Sequence, residues 1–220
     1  MSATATIERS DKELAVLSAA TKVFLEHSFS AATTDMIQRE AGVSKATMYA
    51  CFPNKEALFA AVIEHLCASM TTAFKTMRVS PGNIAKTLTD IGMSCLYIVL
   101  SPTALALNRV VTAETPRFPE LGRRFYLAGP KVVTSMVAER LNEAAKIGEI
   151  NVQSIGVEAA ATLFLSMVRA QAQTECLTHP DTRPSAAQMD YWVQIAVTTF
   201  LAAFGTGATS ASDEGSSNPS

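Results

Sequence analysis

The sequence predicts an all-α protein of about nine helices, with a small three-helix N-terminal part followed by a larger helical bundle. Three observations carry that prediction. Apolar residues recur at helical spacing in one segment after another: Leu14, Leu17, Ala20, Val23 and Phe24; Leu58, Val62, Leu66, Met70 and Ala73; Ile84, Leu88, Ile91, Cys95 and Val99. No segment sustains the alternation of a half-buried strand. The breaks between segments hold helix start and stop signals rather than hairpin turns.

Residues 1–9 are small and polar and are expected to be disordered, so the first helix begins near residue 10. Thr33 and Thr34 can cap a second helix whose first turn holds Asp35, favourable at the positive end of a helix dipole, and Gly42 closes it. Ser44 then starts a short third helix. Asn54 is a cap for a long fourth helix that opens with Lys55 and Glu56 and runs to about Met77, where "RVSPGN" at 78–83 breaks the chain. A helix from about residue 84 ends before Pro102, which opens the next, to about Thr115. Pro116, Pro119 and Pro130 follow closely, and Pro130 falls inside a helical run that ends at Gly148, predicting a kink or restart there. Two last helices, about 155–178 and 185–204, are separated by "THPDTRPS", and "GTGATSASDEGSSNPS" at 205–220 has no core-forming residue and is expected to be a disordered tail. The domain boundary is placed so that 10–53 form one part and 54–204 the other, joined by the helix from Asn54.

The 220 residues are 48% apolar and 17% charged with a formal charge of -2, a globular composition whose excess of apolar surface suits ligand cavities or a subunit interface. The opening "MSATATIERSDKEL" is polar and does not have the pattern of a secretory signal, so a cytoplasmic protein is expected. The uncharged run between Asp90 and Arg109 reads as a buried core helix, and no membrane partner is expected. Cys51, Cys67, Cys95 and Cys176 are widely spaced with no CxxC pair, and His27, His65 and His179 are scattered, so neither a metal nor another cofactor is expected. The carboxylates form no acid/base pair on one helix face, and no catalytic residue is proposed. Arg109 and Glu114 are read as a structural ion pair.

A helix of about eight residues, a turn centred on Gly42 and a short second helix make a helix-turn-helix, in which the second helix enters the DNA major groove. Ile37, Ala41, Val43 and Met48 are spaced to pack these helices together and against Val23 and Phe24. That leaves Ser44, Lys45, Thr47 and Tyr49 facing outward, with Ala46 between them. Backbone N–H groups at the start of the short helix suit phosphate or base acceptors; Lys45 can reach guanine or phosphate, Thr47 phosphate or a thymine methyl, and Tyr49 can donate a hydrogen bond. Thr33, beside Thr34, and Lys55 are placed to clamp phosphates on either side. Across residues 1–60, seven acidic residues against six basic ones leave the segment near neutral, so affinity must come from a dimer on two half-sites.

The segment "TTDMIQREAGVSKATMYACFPNKEALFAAVI" resembles the DNA-binding part of the TetR family of one-component transcriptional regulators, over roughly residues 10–65. "RFPELGRRFYLAGP" is similar to the ligand domain of one branch of that family. Gln38, where a small residue is usual, and Cys51, where Tyr or His is usual, depart from the pattern. The resemblance implies a homodimer on a double-stranded DNA operator, a repressor released by a small apolar or amphipathic effector, with Thr33 and Lys55 as phosphate contacts, Ser44 as the cap, and Lys45, Thr47 and Tyr49 as groove and phosphate contacts. It also implies an effector site among the later helices, for which Met70, Cys95, Phe125, Met136 and Met167 are candidate apolar lining and Tyr97, Asn108 and Gln171 candidate polar groups. The last two helices carry small residues beside large ones, and Phe164, Val168, Trp192, Ile195, Thr199 and Phe200 are the candidate dimer contacts. Two readings stay open beside it: a thiol-sensing regulator acting through Cys51 or Cys67, and a helical enzyme or carrier with a vestigial N-terminal part.

Overall fold

The computed structural model describes residues 10–75, 82–181 and 183–208. Ten α-helices lie among them: α1 (Asp11–Ala31), α2 (Thr34–Ala41), α3 (Lys45–Cys51), α4 (Lys55–Lys75), α5 (Ile84–Val99), α6 (Pro102–Glu114), α7 (Pro119–Ala128), α8 (Pro130–Lys146), α9 (Val157–Thr178) and α10 (Ala186–Phe204). The count exceeds the expected nine because Pro130 restarts the chain: α7 ends at Gly129 and α8 begins at the proline, whose fixed φ and missing N–H suit the first position of a helix. Met77 and most of the "RVSPGN" break lie outside the described residues, as do the expected disordered residues 1–9 and all of the tail beyond residue 208. The first residues of that tail are folded, since Gly205 bridges Ile150 and Thr206–Ala208 form a 3-10 turn.

Capping decides the boundaries. Ser10, Thr33, Ser44, Asn83 and Ser185 each accept from a backbone N–H three residues on, and the Asn54 side chain does the same from Ala57 at 2.7 Å. Gly42 closes α2 at φ 64°, its N–H reaching back to Arg39 and Gln38.

Packing divides the described residues into two compact units, one within Met1–Met70 and Ala106–Gly129, the other within Thr71–Leu105 and Pro130–Ser220. Packing follows another line than the expected boundary at 53/54, because the three N-terminal helices are too small to bury a core alone. Their core takes Leu58, Phe59 and Ile63 from α4, Leu107, Val110 and Val111 from α6, and Leu121 from α7. In the second unit α5, α8, α9 and α10 enclose a core that includes Leu88, Ile91, Leu141, Phe164, Trp192 and Phe200. Gly92 sets the approach of α5 to α10: a Cβ there would lie 2.8 Å from the Val193 side chain. Among the described residues no single helix is long and apolar enough to cross a membrane, and the Asp90–Arg109 run is divided between α5 and α6 at Ser101–Pro102.

Gly42→Ala is expected to lower stability in urea unfolding by about 1 kcal/mol, a cost of the left-handed φ alone since no atom lies within 4 Å of the added Cβ. Gly42→Asn, which tolerates that region, is expected to lose clearly less.

Candidate nucleic-acid interface

The interface is built by two short helices and the turn between them. Ile37 of α2 and Met48 of α3 are fully buried against Val23 and Phe24 of α1, while Ala41 and Val43 pack half-buried at the same core. This anchors one side of α3 and leaves Ser44, Lys45, Ala46 and Tyr49 exposed, Tyr49 at 41% of its surface. Seven residues make fewer than two full turns, which is all that a helix end probing a groove requires.

The expected DNA-facing residues fall into three groups. Thr33 and Ser44 are caps: Thr33 Oγ1 accepts from Met36 N–H at 3.2 Å and Ser44 Oγ from Thr47 N–H at 3.1 Å. The Ser44 and Thr47 hydroxyls also bond each other at 2.8 Å, which fixes the half-buried Thr47 rotamer. Ser44 thus orders the helix start, and Thr34, half-buried, is the first residue of α2. Lys45, Ala46 and Tyr49 form the open group. Lys45 Nζ pairs with Asp35 of α2 at 3.3 Å across exposed surface, a contact worth little in water and readily exchanged for a phosphate.

Lys55, expected as a phosphate clamp, forms the third group. It is half-buried, and its Nζ donates to the Phe29 carbonyl at 2.9 Å and the Ala32 carbonyl at 3.0 Å while lying 4.6 Å from the centre of the Phe29 ring. The segment it holds is strained: Ser28 has φ 68°, the only positive φ outside glycine among the described residues. Glu114, read as pairing with Arg109, has another partner here. Its two oxygens accept from the Ser30 N–H at 2.8 Å and the Ser30 hydroxyl at 2.6 Å, and the cation beside it is Arg117. Burial alone would raise the Glu114 carboxyl, but hydrogen bonds from Ser30 and Ser28 and the charge of Arg117 outweigh it and hold the group below its usual range. Neither contact had a signal in the sequence, since 26 and 84 residues separate the partners.

The expected effector residues are divided between the units. Met70, Asn108 and Phe125 are half-buried in the first unit. In the second, Cys95 is buried in the core, Met136 and Met167 pack half-buried against it, Tyr97 is 60% exposed, and Gln171 is exposed with its amide bonded to Glu175 at 2.8 Å. Burial pushes the thiols of Cys95 and Cys67 up to about 11, with Glu64 adding to the shift at Cys67, so neither is a ready thiolate. Among the described residues no group of three or more His, Cys, Asp or Glu side chains is placed to hold a metal ion.

The dimer set needs correction too. Phe164, Val168, Trp192 and Phe200 are buried in the core of their own chain, whereas Ile195 and Thr199 face outward. The exposed large apolar residues on these helices are Leu163, Tyr191 and Ile195, at 42%, 57% and 49%. Helices apolar on both faces gave no sequence signal for which face is inside.

Comparison with known proteins agrees with this geometry. Residues 16–62 match the model for bacterial regulatory proteins of the tetR family, and residues 86–206 match that for the AefR-like transcriptional repressor C-terminal domain. The solved structure of the flavonoid-responsive regulator FrrA is 32% identical, with a TM-score of 0.77 over 90% of this chain and 98% of that one. A TetR transcriptional regulator from Agrobacterium tumefaciens shares the fold at 24% identity and a TM-score of 0.71, over 90% of this chain and 97% of that one. An uncharacterized HTH-type transcriptional regulator of Bacillus subtilis (strain 168), YhgD, is 38% identical over 60 residues, which cover 27% of this chain and 31% of that relative. The chain belongs to the TetR family of transcriptional regulators.

Proposed function

We propose that this regulator is a homodimeric repressor that holds a palindromic operator and releases it when a small apolar or amphipathic effector binds. The observation that carries the DNA end of this reading is α3: a capped seven-residue helix, anchored by Met48 and open at Lys45, Ala46 and Tyr49. The head is close to neutral, so one copy gains little from phosphate charge and two copies on two half-sites supply the affinity. Leu163, Tyr191 and Ile195 support a second copy docking on α9 and α10, because large apolar side chains there are left open to water.

For the effector, Met136 and Met167, half-buried in the second unit, supply soft apolar contact. The likeness to the flavonoid-responsive FrrA makes planar aromatic polyphenols the first compounds to test. A thiol-sensing role for Cys67 is disfavoured by its burial.

Binding to a fluorescent fragment of the protein's own upstream DNA is expected to be saturable and to weaken steeply with salt, and Tyr49→Ala is expected to lose at least about tenfold in affinity. Saturable binding that Tyr49→Ala leaves intact would overturn the assignment of α3 as the reading helix. Addition of a flavonoid panel to the preformed complex tests release. Ile195→Glu is expected to sediment as a monomer with its helical circular dichroism intact and its operator affinity lost, and a dimer that survives the substitution moves the interface elsewhere.

A further inference from the structure

A carboxylate stands beside the open side of α3, and it comes from the neighbouring helix. Asp35, in the first turn of α2, lies two residues before the buried Ile37 and is exposed. There it meets Lys45, the first residue of α3, at 3.3 Å. Helix α3 has no acidic residue of its own, and Lys45 is its one charged side chain. Glu40, near the other end of α2, is occupied elsewhere, since Lys22 of α1 holds it at 2.8 Å.

A negative charge in that place works against binding to the DNA backbone. A row of phosphates repels it, and Lys45 must leave Asp35 to reach one of them. Little is gained in return, because an exposed ion pair contributes little in water and the Thr33 hydroxyl already caps the turn that Asp35 occupies. The edge of a base pair is different. In the major groove cytosine presents the N4 amino donor, which a carboxylate accepts, and guanine presents the O6 and N7 acceptors, which suit an ammonium. Guanine O6 and cytosine N4 are hydrogen-bonded to each other within the pair and so stand about 2.9 Å apart. Lys45 Nζ and Asp35 Oδ1, 3.3 Å apart, offer the complementary donor and acceptor at nearly that spacing. An A·T pair also sets a donor beside an acceptor, but its O4 is a single acceptor next to the thymine methyl.

We propose that Asp35 is a specificity-determining residue: together with Lys45 it reads one G·C pair in each half-site, Asp35 accepting from the cytosine N4 amino group and Lys45 donating to guanine O6 or N7. The proposal rests on the DNA-binding reading of α3. Removing the carboxylate then acts oppositely on two kinds of DNA. A sequence with that pair loses a hydrogen bond to a base, whereas a sequence without it loses only a repulsion. A carboxylate that merely adds negative charge would, once removed, leave both bound more tightly by the same factor. One that merely stabilises α2 would leave both bound more weakly by the same factor.

The experiment selects duplexes from a random-sequence library with full-length wild type, Asp35→Ala and Asp35→Asn, at a temperature where thermal melts show each protein folded. Affinities are then measured on the wild-type consensus, on variants with single base pairs exchanged, and on unrelated DNA. Wild type is expected to select a symmetric G·C pair whose exchange costs at least about tenfold. Asp35→Ala is expected to bind that consensus about tenfold more weakly, to lose the preference at that pair, and to bind unrelated DNA at least as tightly as wild type. Asp35→Asn, similar in shape and uncharged, is expected to exchange the cytosine for adenine, whose N6 and N7 a carboxamide can bond. Unchanged base preferences in both variants, or affinities altered by one factor on every sequence, would overturn the proposal. Failure of wild type to enrich any sequence removes the DNA-binding reading itself, whereas an enriched consensus indifferent to Asp35 removes this proposal alone.

Discussion

The packing of Phe29 is the constraint on which the DNA-binding end depends. Its ring brings together the end of α1, the first turn and a half of α4 through Phe59, and the start of α7 through Phe118, segments that lie far apart in the chain. A three-helix head of some forty residues exposes too much surface for its volume to be stable alone. By extending its core into α4, α6 and α7 it acquires several large apolar partners, and the compact unit therefore includes residues 106–129. Helix α3 is anchored because residues remote from it in sequence complete the core it packs on.

What was legible in the sequence follows from the range of the interaction involved. Caps and breaks act over three or four residues, so Thr33, Gly42, Ser44, Asn54 and Pro102 announced the elements they bound. The buried side of the helix-turn-helix was legible as well, because α2 and α3 are short, each with one apolar stripe. Helix α10 behaves otherwise. Trp192, Ile195 and Phe200 are all apolar, and only the positions of α5 and α9 decide that Trp192 and Phe200 lie inside while Ile195 lies outside. Lys55 and Glu114 illustrate the same limit for charge, since a residue's partner depends on which backbone atoms folding brings near it.

Electrostatics at the interface then acquire a definite division. Lys45 is exposed, paired only with Asp35 in water, and can change partner at small cost. Lys55 is engaged by carbonyls and Glu114 by hydrogen-bond donors, and displacing either leaves polar groups without partners.

Ser28 raises the question of why a strained turn is not simply built with glycine. Glycine would relieve the φ of 68° at once, and the chain uses it for that purpose at Gly42. The serine side chain, however, belongs to the same hydrogen-bonded group as Ser30 and helps keep the Glu114 carboxyl ionised despite its burial. An ionised carboxylate accepts from both Ser30 donors at once, and a protonated one loses acceptor capacity. Backbone strain at Ser28 is thus offset by a stronger grip at Ser30, two residues on. A glycine would relax the turn and weaken its hold on α6 in the same step.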